Sequence, residues 1–453
     1  MTLGGQEVSS PRRTYTYAQI WSIAYPILVA TLMEQLIGTT ATAFLGRVGE
    51  VELGASALGG IFYIVVFMLG LGFSVGSQIL IGRRNGQGDY SRIGSIFYHS
   101  LAFLLLFAFV LFALTRTFGP RVLERIISSH DVFVAANNYL QWRVYGFFFA
   151  FVNIMFRAFY VGTTHTRTLT LNSLVMVASN VVFDYVLIFG KCGLPAYGIA
   201  GAAMGNVLAE GMSTLFFIVH TRLRIPYAKY GLNRLPRFRV SLLEKMLGLS
   251  VWTMVQNFLS LGTWFLFFIS VEHLGERALA ATNLVRNISA FTFMTVAALA
   301  ATASTLVSNL MGQGDPEAVP PVLRRTVRLG FAILVPAIAL IAIGGDAVLR
   351  LFTNEPEVIA ASRGALYVML SSYVLTIPAQ IYFQAVSGTG NTRTALAIEM
   401  ASLVIYCVFI FVAIFHYRVS LPVCWMSEHV YNLFAFLFSF AYFKWGNWRA
   451  RKL

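Results

Sequence analysis

The second half of this 453-residue chain repeats the first at a constant offset of 226 residues. Gly86-Gln87-Gly88-Asp89 returns as Gly312-Gln313-Gly314-Asp315, and Thr166-Arg167-Thr168 returns as Thr392-Arg393-Thr394. Gly49-Glu50 with Leu53 matches Gly275-Glu276 with Leu279, and Gly162 matches Gly388. Chance can supply one such tetrapeptide pair, but it does not keep the other matches in phase. The chain is therefore two homologous halves with almost equal loop lengths.

Both halves are intensely apolar. Charged residues make up only 11% of the chain and hydrophobic ones 57%, where a soluble domain carries roughly 25% charge. Stretches 53–82, 93–115, 246–271, 287–314 and 364–392 hold no charge at all. A helix of about 20 such residues crosses the hydrocarbon layer, and a helix satisfies its backbone groups without water. The short alternating strands of a membrane barrel are not seen.

Twelve spans are expected, centred near residues 28, 67, 104, 145, 178, 209, 257, 294, 339, 374, 405 and 433. The second and eighth exceed the bilayer thickness and must tilt or continue beyond it. The expected fold is an all-α integral membrane protein of twelve transmembrane helices in two six-helix bundles. The tail 1–14, a bundle over 15–220, a basic linker at 221–243, a bundle over 244–443 and a basic tail at 444–453 divide the chain. Six spans precede the linker, so the second half enters with the orientation of the first and the repeat is parallel. Two such bundles around a central cavity are the plan of a transporter.

Charge sets the orientation. With both termini inside, inner segments hold most of the 33 basic residues, among them Arg12, Arg13, Arg83, Arg84, Arg222, Arg224, Arg237, Arg324, Arg451 and Lys452. Basic residues in short loops face the cytoplasm, so a multi-pass protein of the inner (plasma) membrane with both termini cytoplasmic is expected. The +14 net charge lies at membrane edges, where anionic lipids are the natural partner, and nucleic acid is not expected. Arg12-Arg13 precedes a full-length span, which argues against a signal peptide. Cys192, Cys407 and Cys424 are too few and scattered for a metal cluster or disulfide framework. No GxxxxGK[ST] phosphate loop, HExxH helix or nucleophile–base pair marks an enzyme, and no cofactor is expected.

The motifs FLGRVGEVELGASALGG at 44–60, GSQILIGRRNGQGD at 76–89, NVVFDYVLIFG at 180–190, AYGIAGAAMG at 196–205 and SGTGNTRTA at 387–395 resemble those of the multidrug and toxic compound extrusion family. The resemblance runs through both halves in order. It implies a twelve-helix exporter of cationic or amphipathic compounds, driven by inward movement of Na⁺ or H⁺. Without the family, the loop glycines already read as turns or close helix approaches, and the small residues from Gly198 to Gly205 as a helix-packing face.

Acids at lipid depth are functional candidates, and four stand out: Glu34, Asp184, Glu210 and Glu399. An isolated carboxylate there takes up a proton, or keeps its charge by holding a cation. Asp184 has Asn180 one helical turn away on the same face, a pair that can share a proton or ligate Na⁺. The resemblance implies an ion-linked role for these same two residues. It also implies an Asp where this chain has Ala41, and Glu34, seven residues earlier, can supply that carboxylate from about 10 Å along the helix. Glu210, with Asn206 a turn before it, is expected to join Asp184, giving a cation-coupling set of Asp184, Asn180, Glu34 and Glu210. Arg143, Arg157 and Arg286 are the candidate counter-ions.

The second half departs further from the family, with Ser260 where one branch has Glu and no acid in 364–392. Coupling is therefore expected in the first half, and Glu399 is expected to pair with Arg393 near the cytoplasmic face. Gln35, Thr31, Asn206, Gln256, Asn257 and Gln380 are expected to line the substrate cavity, with Tyr139, Trp252 or Phe258 stacking on small lipophilic cations. An internally duplicated monomer encloses such a cavity by itself. The competing function is a flippase or exporter of a lipid-linked glycan or other amphiphile, which a cationic groove would favour.

Overall fold

A computed structural model describes residues 15–127 and 129–450. The expected tail 1–14, with Arg12 and Arg13, and the terminal Arg451 and Lys452 lie outside the described residues. The first half runs through α1 (Tyr17–Leu45), α2 (Glu50–Gln87), α3 (Ser91–Ile126), α4 (His130–Arg143), α5 (Gly146–Gly162), α6 (Arg167–Phe189) and α7 (Ile199–Arg224). After a segment of turns come α8 (Val240–Glu272), α9 (Glu276–Gln313), α10 (Val319–Ile343), α11 (Gly345–Arg350), α12 (Pro356–Gly388) and α13 (Thr392–Ile410). A π-helical turn at Phe411–His416, α14 (Leu421–Trp425) and α15 (Ser427–Trp445) complete the chain.

Among the described residues ten helices are long and apolar enough to cross a bilayer, and the pair α4–α5, bent by 51°, makes an eleventh. The twelfth position is α15, a 19-residue helix whose Glu428, His429 and Asn432 lower its hydropathy. The protein is an all-α integral membrane protein.

The repeat extends to the element boundaries. α2 and α9 are both 38 residues long, each begins after a glycine (Gly49, Gly275), and each ends on a left-handed glycine, Gly88 at φ 73° and Gly314 at φ 75°. The Gly-Gln-Gly-Asp motif is thus a helix stop: only a residue without Cβ adopts that φ at little cost. At the other end of the chain, Thr16 and Gln19 form a reciprocal capping box that starts α1.

The halves meet through equivalent pairs, α2 on α8 and α1 on α9, with α2 on α9 at the centre. The contact is tight at the Gly-Gln-Gly-Asp end. A Cβ on Gly86 would collide with the Asn309 carbonyl, and one on Gly312 with the Arg83 carbonyl. Asn85 Nδ2 donates to Asn309 Oδ1 at 2.6 Å, Ser308 Oγ to the Ile79 carbonyl at 2.6 Å, and Gln78 Nε2 to Thr305 Oγ1 at 3.0 Å. Among the described residues the hydrogen bonds between the halves all lie toward this end. Burial leans the same way: most of the buried residues of α2 lie from Gly70 onward, although Ala55, Gly59 and Tyr63 are also buried, and Leu58, Ile61 and Ile64 in its first half are exposed. The two bundles are pinned at this end.

Candidate functional site

Asp184 and Asn180 are both fully buried on α6, against α7. The small-residue run at the start of α7 makes this possible. A Cβ on Gly201 would press on the Leu187 backbone at 2.6 Å, and one on Gly205 would strike the Asp184 carboxylate. Asn180 Nδ2 donates to Asn206 Oδ1 at 3.2 Å, and Asn206 Nδ2 donates to the Ala202 carbonyl at 3.0 Å. Three oxygens, Asp184 Oδ1 and Oδ2 and Asn180 Oδ1, are buried with no hydrogen-bond donor. Leaving buried acceptors unpaired costs about 1–3 kcal/mol each, and more for a charged group.

Glu210 is different. Arg143 of α4 grips it with both nitrogens, Nη2 to Oε1 at 2.6 Å and Nη1 to Oε2 at 3.0 Å. The guanidinium also lies 3.7 Å over the Tyr63 ring, which stacks on Phe147 at 4.7 Å. The break between α4 and α5 falls directly after Arg143, and Gly146 leaves the room that the ion pair occupies. Glu210 is neutralised in place rather than pooled with Asp184. Arg143 and Tyr139 lie within electrostatic reach of Asp184, but no ion pair forms with it among the described residues.

Glu34 belongs to a third group. Arg157 of α5 donates to its Oε1 at 2.9 Å and to Thr31 Oγ1 at 3.3 Å. The Glu34 side chain is 48% exposed, so it faces open space, as does its neighbour Gln35. The four expected coupling residues therefore fall into three places: Asp184 with Asn180, Glu210 with Arg143, and Glu34 with Arg157.

In the second half Gln256 is buried with its Oε1 unpaired, Asn257 is half-buried, and Gln380 donates to Asn432 Oδ1 at 3.4 Å. Glu399 corrects an expectation. It is buried and accepts from Ser260 Oγ and, at 2.8 Å, from the Tyr431 hydroxyl. Arg393 instead stacks over Trp252 at 5.5 Å. Glu399 stands six positions past Arg393, about 9 Å along the helix and well inside the bundle, so helix rise defeats the pairing. Tyr139 is also buried, against Gly59, and Trp252 is covered by Arg393, which leaves Phe258 as the exposed aromatic of the three. Sequence reasoning missed Glu428, which lies within electrostatic reach of Tyr373, Tyr406 and Tyr431. Arg286 lies 5.4 Å over both Trp264 and Phe268.

Comparison with known proteins follows the duplication. The MatE family model matches residues 26–186 and matches again at 253–412. The chain belongs to the MatE family. Among similar proteins, the Thermotoga maritima protein named probable multidrug resistance protein NorM is 25% identical, the match covering 96% of this chain and 93% of that one. The Bacillus subtilis protein named probable multidrug resistance protein YoeA is 24% identical over 90% and 86% of the two chains. Solved MATE folds superpose throughout. An outward-facing multidrug resistance MATE family transporter of the MOP superfamily gives a TM-score of 0.87 at 18% identity, over 94% of this chain and 95% of that one. A MOP superfamily transporter from Pyrococcus furiosus, described as having a binding pocket of reverse polarity, gives 0.86 at 17%, over 94% and 96%. The fold of this MatE chain is therefore that of a membrane transporter, and its site residues are read from its own geometry.

Proposed function

We propose that this MatE protein is a secondary active antiporter of the inner (plasma) membrane, with both termini cytoplasmic. It exports cationic or amphipathic drugs and toxic compounds in exchange for H⁺. The observation that carries the reading is the set of three unpaired buried oxygens at Asp184 and Asn180. A buried carboxylate without a partner is costly unless it binds a proton or cation. Asn180 Nδ2 directs one N–H to Asn206, and its Oδ1, which has no donor, is an acceptor that a proton on Asp184 would satisfy. Na⁺ held by the same oxygens is the alternative coupling ion. Names of the relatives support a multidrug cargo.

Glu34, half-exposed and held by Arg157, is the acid a cationic substrate can reach, with Thr31 and Gln35 beside it. Bundles 15–220 and 244–443, hinged through the linker 221–243, rock about their shared seam, and the protein works as a monomer without a cofactor. A second reading, export of an amphiphile with an anionic head, is favoured by Arg286, which rests on two aromatic rings and has no carboxylate partner among the described residues.

The test is efflux of a fluorescent lipophilic cation from proteoliposomes under H⁺ and Na⁺ gradients imposed separately. Efflux driven by the proton gradient, lost in Asp184→Asn and kept in Glu399→Gln, is expected. Flux that follows only the Na⁺ gradient replaces the ion. Undiminished gradient-driven flux in Asp184→Asn removes the coupling from the first half. Anionic amphiphile transport that depends on Arg286 favours the second reading.

A further inference from the structure

A cavity of about 990 Å³ opens at the pinned end, between the last turn of α2, the first turns of α3, the linker and the start of α8. Arg84, Arg92, Arg237, Arg239 and Lys245 line it, and no acidic side chain does. Asp89, nearby, is taken up by Arg84 and Arg92, at 3.9 and 3.2 Å. Arg237, Arg239 and Lys245 have no carboxylate partner among the described residues.

Two long helices also begin at this cavity. α3 and α8 both start without a side-chain cap and without an acid in the first turn. Their positive dipole ends add to the anion-attracting field.

The wall is built rather than loose. Gly94 N–H donates to the Tyr230 carbonyl at 2.7 Å, and the Tyr98 hydroxyl donates to the Leu232 carbonyl at 2.7 Å. Arg239 N–H donates to His99 Nε2 at 2.8 Å, so the ring proton sits on Nδ1, which donates to the Ser95 carbonyl at 2.7 Å. These bonds tie the linker to α3 and hold the basic residues over the opening.

The cavity is not only basic. Leu80, Ile96 and Leu249 line its depth. On the linker, Leu235, Phe238 and Val240 are 82%, 60% and 61% exposed and alternate with Arg234, Arg237 and Arg239. Large side chains exposed to that degree beside cations belong in the interfacial layer of a bilayer, apolar parts toward the chains and charges toward the headgroups. A soluble anion would use the charges and leave the apolar lining unexplained.

We infer that this cavity binds the phosphate of an anionic phospholipid from the leaflet facing the Gly-Gln-Gly-Asp loops. The headgroup sits among Arg237, Arg239 and Lys245 and its acyl chains lie along α3 and α8. Because α3 belongs to the first half and α8 to the second, one lipid bridges the two bundles at the end where they are pinned. Free phosphate shares the headgroup chemistry but lacks the chains.

Native mass spectrometry of the full-length protein in detergent, offered phosphatidylglycerol and phosphatidylcholine in equal amounts, tests this. The parent is expected to retain phosphatidylglycerol roughly tenfold more tightly than the combined variant Arg237→Gln, Arg239→Gln, Lys245→Gln. Lys245→Gln alone, at an exposed position, shows a smaller loss in the same direction. A control that removes equal charge elsewhere, Arg222→Gln, Arg224→Gln, Arg328→Gln, keeps parental retention. Equal retention by parent and cavity variant, or equal loss in the control, overturns the site. Displacement of phosphatidylglycerol by inorganic phosphate at comparable concentration overturns its assignment to lipid.

Discussion

The acids of the membrane interior are solved in different ways, and the differences decide which can respond to an ion. Glu210 has a bidentate arginine, Glu399 has two hydroxyl donors, and Glu34, itself half-exposed, has a partly buried arginine. Asp184 has none of these. Breaking a buried pair strands a charge, so Glu210→Gln or Arg143→Met alone is expected to cost about 3–5 kcal/mol, and the double variant Arg143→Met, Glu210→Leu much less. Thermal unfolding of the purified protein through the double-mutant cycle measures this, and additive losses would show that the pair is not coupled. The pairing of Asp184 with Asn180 was legible because both lie on one helix, four residues apart. That Arg143 claims Glu210 was not, since 67 residues separate them and three arginines competed for the role. Glu428 escaped notice because it opens the last span, whose polar start blurs its boundary.

At the scale of elements, glycine does two kinds of work that sequence alone does not separate. Gly88 and Gly314 end helices in left-handed backbone, so Gly88→Ala is expected to cost about 1–2 kcal/mol through strain alone, read as a lowered melting temperature with transport retained. Gly205 instead leaves space for the Asp184 carboxylate on the neighbouring helix. Gly205→Ala changes no charge, yet its methyl would push that carboxylate away. Gradient-driven efflux in proteoliposomes is expected to fall severalfold, as in Asp184→Asn, and normal coupling in Gly205→Ala would show that the close approach is not required.

At the scale of the whole molecule, the hydrogen bonds between halves gather at one end, so that end must open if the bundles are to rock. A thiol cross-link between Asn85→Cys and Asn309→Cys, whose native side chains are 2.6 Å apart, should hold the halves as they stand. In a background with Cys192, Cys407 and Cys424 replaced, transport is expected to stop on cross-linking and return on reduction. Continued transport by the fully cross-linked protein would place the moving seam elsewhere.

The sequence by itself determined the membrane setting, the helical class and the duplication. These follow from composition and from local rules repeated at a fixed offset, which need no knowledge of what touches what. It also put Asp184 and Asn180 on one helix face, because helix periodicity is local. Only the tertiary structure decided which acids are neutralised and where the halves close. It also gathered the scattered arginines and lysine of α2, α3, the linker and α8 around one cavity. Charge partners are chosen by packing across spans, and a one-dimensional chain carries no distance between residues that are far apart along it.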